Sequence, residues 1–433
     1  MTTSKIQNID NLFVWVWLPN CSEPVVAGQI VKQNKLYRFT YGQSYRDNPA
    51  AIRFSPFELP LQKGSFTPKG QNLIHSCFRD AAPDYWGRYV IDNHYPGFRL
   101  NELDYLILSD SNRSGALDFQ HSSSDYVDRT MVQMSIDDIL SAAAIIEQHQ
   151  TLPPELDFVL MQGSSMGGAQ PKATMLWDNK QWIVKFASID DPADTAKLEY
   201  ITMRLAKLAG IFVANVKYEE SDSQEVLLIE RFDRKTTNTV ISNTARRFIM
   251  SGFSLLGLTE NEAQYASYHS VADVVRREFH QPKLALQEIF KRLAFNILMG
   301  NTDDGIKHLT ASWDGSKLKL MPAFGLSPKM HFDEEAKQTL AINGRLANEA
   351  TLNNIASIAG IFQVSNTQAQ EIIESIITVI EKNWPKLCNE VDLNKHSRHQ
   401  FWRKIILSPN CFKNWDYNKN FTMIPSKKSS ASI

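Results

Sequence analysis

The chain has 433 residues, with 46 Lys and Arg against 47 Asp and Glu, a net charge of -1 and a hydrophobic fraction of 43%. At roughly 150 residues per domain this length suits two or three domains or lobes. The near-zero charge argues against a strongly basic nucleic-acid binder and an acidic disordered chain, and 19 glycines and 18 prolines exclude low complexity.

The first ten residues, MTTSKIQNID, carry no apolar secretory core. The apolar run 13–18 is far shorter than the roughly 18 residues a membrane helix needs. Residues 13–17 (FVWVW), Val25-Val26-Ala27-Gly28 and the alternating run 36–41 (LYRFTY) read as strands. Trp15 and Trp17 would share one side of the first strand, a stripe more often core than docking surface. Arg79-Asp80-Ala81-Ala82-Pro83-Asp84 resembles a helix entrance. Residues 136–150 predict a helix capped by Ser135, with Asp137 and Asp138 in its first turn, stopping before Pro153-Pro154. A strand-rich unit follows: 158–161, a Gly-rich turn, 173–177, the turn Asp178-Asn179 and 182–186, the last two strands suiting a hairpin.

Residues 197–210 predict an amphipathic helix with Leu198, Ile201, Leu205 and Leu208 on one face and Gly210 as its stop. Val226-Leu227-Leu228-Ile229 reads as a buried strand. From about residue 260 the pattern is helical, clearest over 284–299 and 371–384, with a hairpin over 309–320 around Asp314-Gly315. A sheet-rich half followed by a helical half predicts an α+β protein of two lobes. Cys21, Cys77, Cys388 and Cys411 are widely spaced, giving neither a disulfide framework nor a zinc site, and the reading is a cytoplasmic protein with reduced thiols.

Four segments carry chemistry. Residues 162–172, QGSSMGGAQPK, place glycines and serines between two predicted strands, where backbone amides can approach phosphate. The segment is neither a Walker A loop nor a Rossmann turn, and alone it reads first as a plain hairpin loop. Lys185 lies inside an apolar strand and Glu199 on the next helix, the arrangement with which kinases hold α/β phosphates; the bland alternative is a surface lysine on an edge strand. Asn301-Thr302-Asp303-Asp304 follows a helix stop at Gly300, where a catalytic-loop carboxylate would stand, or where two aspartates would simply be solvated. Met321-Pro322-Ala323-Phe324-Gly325-Leu326 is a turn-rich segment after the hairpin.

Together these strings resemble the HipA family of serine/threonine kinase toxins, over most of the chain. VWLPNCSEPVVAG, PFELPLQKG, RDAAPDYWGRYVI and LSDSNRSGALDF look like its N-terminal subdomain. SSMGGAQPKATML is similar to its phosphate loop, WIVKF to its ATP-lysine strand, EYITMRLAKLAGI to the next helix and VLLIERFDRK to its hinge. FNILMGNTDDGIKHL and LKLMPAFGLSP resemble its catalytic and metal loops. The resemblance implies a bilobal protein-kinase-like fold: an N-terminal subdomain over 1–150, a strand-rich N-lobe core over 151–232 and a helical C-lobe over 233–433. It implies ATP and magnesium as cofactors. Ser164, Ser165, Gly167, Gly168, Lys185, Glu199 and the Glu230-Arg231-Phe232 backbone would bind nucleotide, Asp303 would be the catalytic base, and Ser165 a site of autophosphorylation. It further implies a helix-turn-helix antitoxin as partner, DNA contact only through that partner, a protein hydroxyl as phosphate acceptor, and no membrane.

Two positions depart from the family pattern. His308 stands where the catalytic loop usually ends in a metal-binding asparagine, and Gly325 where the later motif carries a metal-binding aspartate. Magnesium prefers hard oxygen ligands in near-octahedral geometry. Loss of such charge compensation costs several kcal/mol of barrier, roughly a thousand-fold in rate. Asp304 and Asp314 are the nearby carboxylates left to replace it. The sequence therefore supports two readings: a kinase with impaired activity, and a pseudokinase that acts through binding partners.

Overall fold

The computed structural model describes residues 9–130, 135–147, 161, 165–166, 170–186, 192, 194–221, 224–235, 245–330, 336–344 and 347–415. Residues 158–160 of the expected strand, Ser164, Gly167 and Gly168 lie outside these residues, and Met161, expected to end that strand, is helical.

The N-terminal unit is built on strands β1 (Asn11–Trp17), β2 (Pro24–Gln33), β3 (Leu36–Tyr41), β4 (Ser65–Phe66) and β5 (Leu117–Gln120), ordered β4-β3-β2-β1-β5 and all antiparallel. Trp15 and Trp17 are buried, and both lie against Tyr126 at 5.5 and 5.6 Å between ring centroids. The aromatic stripe is therefore core and offers no docking surface.

The next sheet contains β6 (Lys172–Trp177), β7 (Lys180–Phe186), β8 (Val216–Ser221) and β9 (Gln224–Glu230), ordered β6-β7-β9-β8. The β6–β7 turn uses Asp178 and Asn179, both at positive φ (51° and 57°), as a two-residue hairpin with right-handed strand twist requires. Period-two alternation sorts the strands into two faces. Trp182, Val184, Phe186, Val226 and Leu228 pack on the helices Tyr85–His94 and Ile136–Glu147. Ile183, Leu227 and Ile229 face the other way, with Leu198 and Ile201 of the helix Thr195–Leu208 in the main core. Leu208, expected on that buried face, is half exposed at the end of the helix. Ser135 caps the helix from Ile136, its Oγ accepting the Asp138 N–H at 3.1 Å.

The C-terminal lobe centres on the helix Pro282–Met299, buried on most of its surface, against the helices Tyr268–Glu278 and Asn366–Glu390. A small sheet of Phe248–Ser251, Thr310–Trp313 and Leu318–Leu320 lies beside it. The long helix runs past the stop expected at residue 384, straight through Pro385. Burial of Trp384, Leu387 and Cys388 continues it, so packing outweighs the one hydrogen bond that proline removes.

The N-terminal unit is bolted to the segment after β9. The buried Asp233 carboxylate accepts from the Gly115 N–H at 2.9 Å and from Arg231 and Arg234, both at 2.8 Å. Arg231 also donates to the Asn112 and Arg113 carbonyls, and Arg234 to those of Arg113 and Gly115. Among the described residues no helix is long and apolar enough to cross a membrane. The four cysteines are unpaired.

Candidate active site

The site lies where the β6–β7 hairpin, the helix Thr195–Leu208 and the segments after Met299 and Leu320 meet. β7 is an interior strand of its sheet, so Lys185 is not an edge residue snorkelling to water. Its neighbours Val184 and Phe186 point to the opposite face, which turns Lys185 toward the helix. There its Nζ donates to both Glu199 oxygens, at 2.7 and 2.8 Å, with little exposure of either side chain. The two-residue turn forces Lys172 opposite Lys185 in the register, so both side chains leave the same face. Lys172 is buried, its Nζ donates to the Gln170 carbonyl at 2.6 Å, and burial together with Lys185 pushes its ammonium down to about 7. Sequence reasoning included Lys172 in the glycine-rich segment without assigning it to the site. The hairpin register was the signal that pairs it with Lys185.

The catalytic-loop segment begins at Gly300, at φ +67°, where a Cβ would come within 2.5 Å of Ile405 Cγ2 and 2.8 Å of its carbonyl oxygen. Only glycine ends the Pro282–Met299 helix this way. The two aspartates that follow have opposite fates. Asp303 is half exposed and faces the cleft, with Lys307 Nζ 3.9 Å from its carboxylate. Asp304 turns inward, where its Oδ2 accepts from the Tyr268 hydroxyl at 2.9 Å and Asn296 Nδ2 at 2.6 Å, and burial raises its carboxyl to about 6.

Ser165 is fully buried and donates to Asp110 of the N-terminal unit at 2.5 Å, so the described part of the Gly-rich loop is moored to that unit. Of the three expected adenine contacts, the Glu230 N–H is taken by the Asn215 carbonyl and the Arg231 N–H by that of Gln181. Phe232 packs against Phe324 at 5.7 Å.

His308 and Gly325 lie side by side. The His308 ring stands edge-on to Phe324, 6.0 Å between centroids, and burial with Lys307 beside it lowers the imidazolium to about 4, so the ring is neutral. Gly325 has φ +67°, and a Cβ there would lie 3.7 Å from His308 Cδ2. Both expected replacements have other partners, although Asp304 lines the same cavity as His308 and Phe324. Asp304 is held by Tyr268 and Asn296, and Asp314 caps its own hairpin turn, accepting from the Ser316 and Lys317 N–H groups at 2.8 Å. Among the described residues no three His, Cys, Asp or Glu side chains converge as a metal site. A neutral imidazole and a glycine do not make the oxygen-rich shell that magnesium takes.

Residues 164–384 match the HipA-like C-terminal domain family and residues 17–120 the HipA N-terminal domain family. Over 205 residues the chain is 27% identical to the serine/threonine-protein kinase toxin HipA of Shewanella oneidensis, 41% of this chain and 46% of that one. Over 161 residues it is 26% identical to the putative kinase Y4mE of Sinorhizobium fredii, 34% of this chain and 38% of that one. The matches span less than half the length of these two relatives. Among solved structures the chain is similar to the Shewanella oneidensis toxin–antitoxin complex of HipA, HipB and operator DNA, with TM-score 0.69 and 19% identity, covering 93% of this chain and 97% of that chain. At that identity the likeness speaks for the fold.

Proposed function

The chain belongs to the HipA family, and from that premise we propose that it is the kinase-like member of a toxin–antitoxin pair, binding ATP in its cleft and transferring the γ-phosphate to a protein serine or threonine at a strongly reduced rate. The observation that carries the reading is the Lys185–Glu199 pair on the cleft face of an interior strand. In this reading Lys185 holds the α/β phosphates, Glu199 keeps its ammonium in place, and the half-exposed Asp303 accepts the proton of the attacking hydroxyl. Its location is the cytoplasm. Its partner is a small helix-turn-helix antitoxin, through which it meets DNA; the complex it resembles holds HipA, HipB and operator DNA.

The reduced rate follows from His308 and Gly325. The same pair favours a second reading, a pseudokinase that binds nucleotide and acts only by holding a partner. Purified protein incubated with γ-labelled ATP, magnesium and its co-purifying partners separates the two. Weak labelling abolished by Asp303→Asn supports slow transfer and excludes the pseudokinase. No wild-type labelling, with a gain of about 100-fold or more over background in the Gly325→Asp/His308→Asn double variant, supports the pseudokinase.

A further inference from the structure

The departure from a magnesium site has a counterpart in charge on the same cleft. Lys172 and Lys185 stand opposite each other on neighbouring strands and leave the same face of the sheet. Lys307 reaches into the cleft beside Asp303. The charges acting on Lys172 include those of Lys185, Lys307, Asp84 and Glu199, and those acting on His308 include Lys307, Lys185, Lys329 and Asp303. Of the anions, Glu199 is engaged by Lys185 at 2.7 Å, and Asp303 lies 3.9 Å from the half-exposed Lys307 ammonium. The carboxylate that would hold a divalent ion at residue 325 is missing, and the side chain beside it is the His308 imidazole.

We propose that this cleft binds nucleoside triphosphate as the metal-free anion, with Lys172, Lys185 and Lys307 supplying the positive charge that magnesium would otherwise bring. The proposal rests on the nucleotide-binding half of the reading above and adds how the triphosphate charge is met. Ammonium groups neutralise phosphate oxygens as a metal cation does, and two on one sheet face with a third on the segment after Met299 match a polyphosphate tail. Magnesium loses its role twice: residue 325 offers it no side-chain oxygen, and it cancels the ligand charge that the lysines attract. Lys172 fits this use in particular. Its ammonium is buried on the face it shares with Lys185, and among the described residues its hydrogen-bond acceptor is the Gln170 carbonyl.

The test is calorimetric titration of the full chain with ATP, once in EDTA and once in millimolar magnesium. The expected result is binding in EDTA at least as tight as in magnesium. Lys307→Gln is more than half exposed in its side chain, so its fold should survive, and it should weaken ATP in EDTA by about 3–10-fold while leaving adenosine unchanged. Lys172→Met should weaken ATP more. The Gly325→Asp/His308→Asn variant should shift the preference toward the magnesium complex. Binding that requires magnesium overturns the proposal and leaves the nucleotide cleft standing. No binding of ATP in either condition removes the nucleotide reading and the proposal with it. An affinity in EDTA that Lys172→Met and Lys307→Gln both leave unchanged also overturns it.

Discussion

Asp303 and Asp304 are chemically identical neighbours with separate tasks, and burial separates them. Asp304 is held by Tyr268 and Asn296, and burial raises its carboxyl from the usual 3.8 to about 6. A carboxyl whose folded-state value is raised binds protons more tightly when folded, so its contribution to stability is present below about pH 4 and is lost as pH rises through 6. Asp304→Asn removes that titration. Urea unfolding should show the stability of wild-type relative to the variant falling by on the order of 2–3 kcal/mol between about pH 4 and pH 7; a constant difference would contradict this origin. The same scale governs Gly325. Its Cβ position is open and its φ of +67° is one that aspartate tolerates better than most residues. Gly325→Asp should therefore fold, at a cost of about 1 kcal/mol, read as a small loss of Tm.

The hairpin β6–β7 shows an element whose register places function. Once Asp178-Asn179 is a two-residue turn, Lys172 and Lys185 must face each other. The interior place of β7 was not legible, because the strand that flanks it, β9, arrives some 40 residues later in the chain. The helix Asn366–Glu390 shows the opposite case. Ser365 and Gln368 form its capping box, a signal present in the sequence, yet Pro385 reads as a stop and is not one. Pro385 is itself exposed, so its ring adds nothing to the packing of Trp384, Leu387 and Cys388 that carries the helix past it. Pro385→Ala should raise stability by about 1–3 kcal/mol, seen as a rise in Tm with unchanged nucleotide affinity.

At the scale of the whole molecule, two contacts couple the N-terminal unit to the cleft. One is the Ser165–Asp110 hydrogen bond. A phosphate on Ser165 would set two negative groups together in a buried place, and their repulsion would free the loop from the N-terminal unit. The other is the buried set around Asp233, whose carboxyl is held well below the usual range by Arg231 and Arg234 against the opposing effect of burial. Asp233→Ala leaves two buried guanidinium groups uncompensated and should cost roughly 3–5 kcal/mol. Limited proteolysis should then release the N-terminal unit at protease levels that leave wild-type intact.

The sequence by itself determined the strand and helix periods, the hairpin turn, the lysine and glutamate of the cleft, and the histidine and glycine at 308 and 325. These are local facts, written in residue type and spacing. Only the tertiary structure decided which of two adjacent aspartates turns inward, that Ser165 is moored to Asp110, that Arg231 and Asp233 belong to a buried network, and that His308 and Gly325 lie side by side. Each of these depends on segments distant in the chain being brought together and desolvated, and burial is a property of the packed molecule that no single stretch of residues carries.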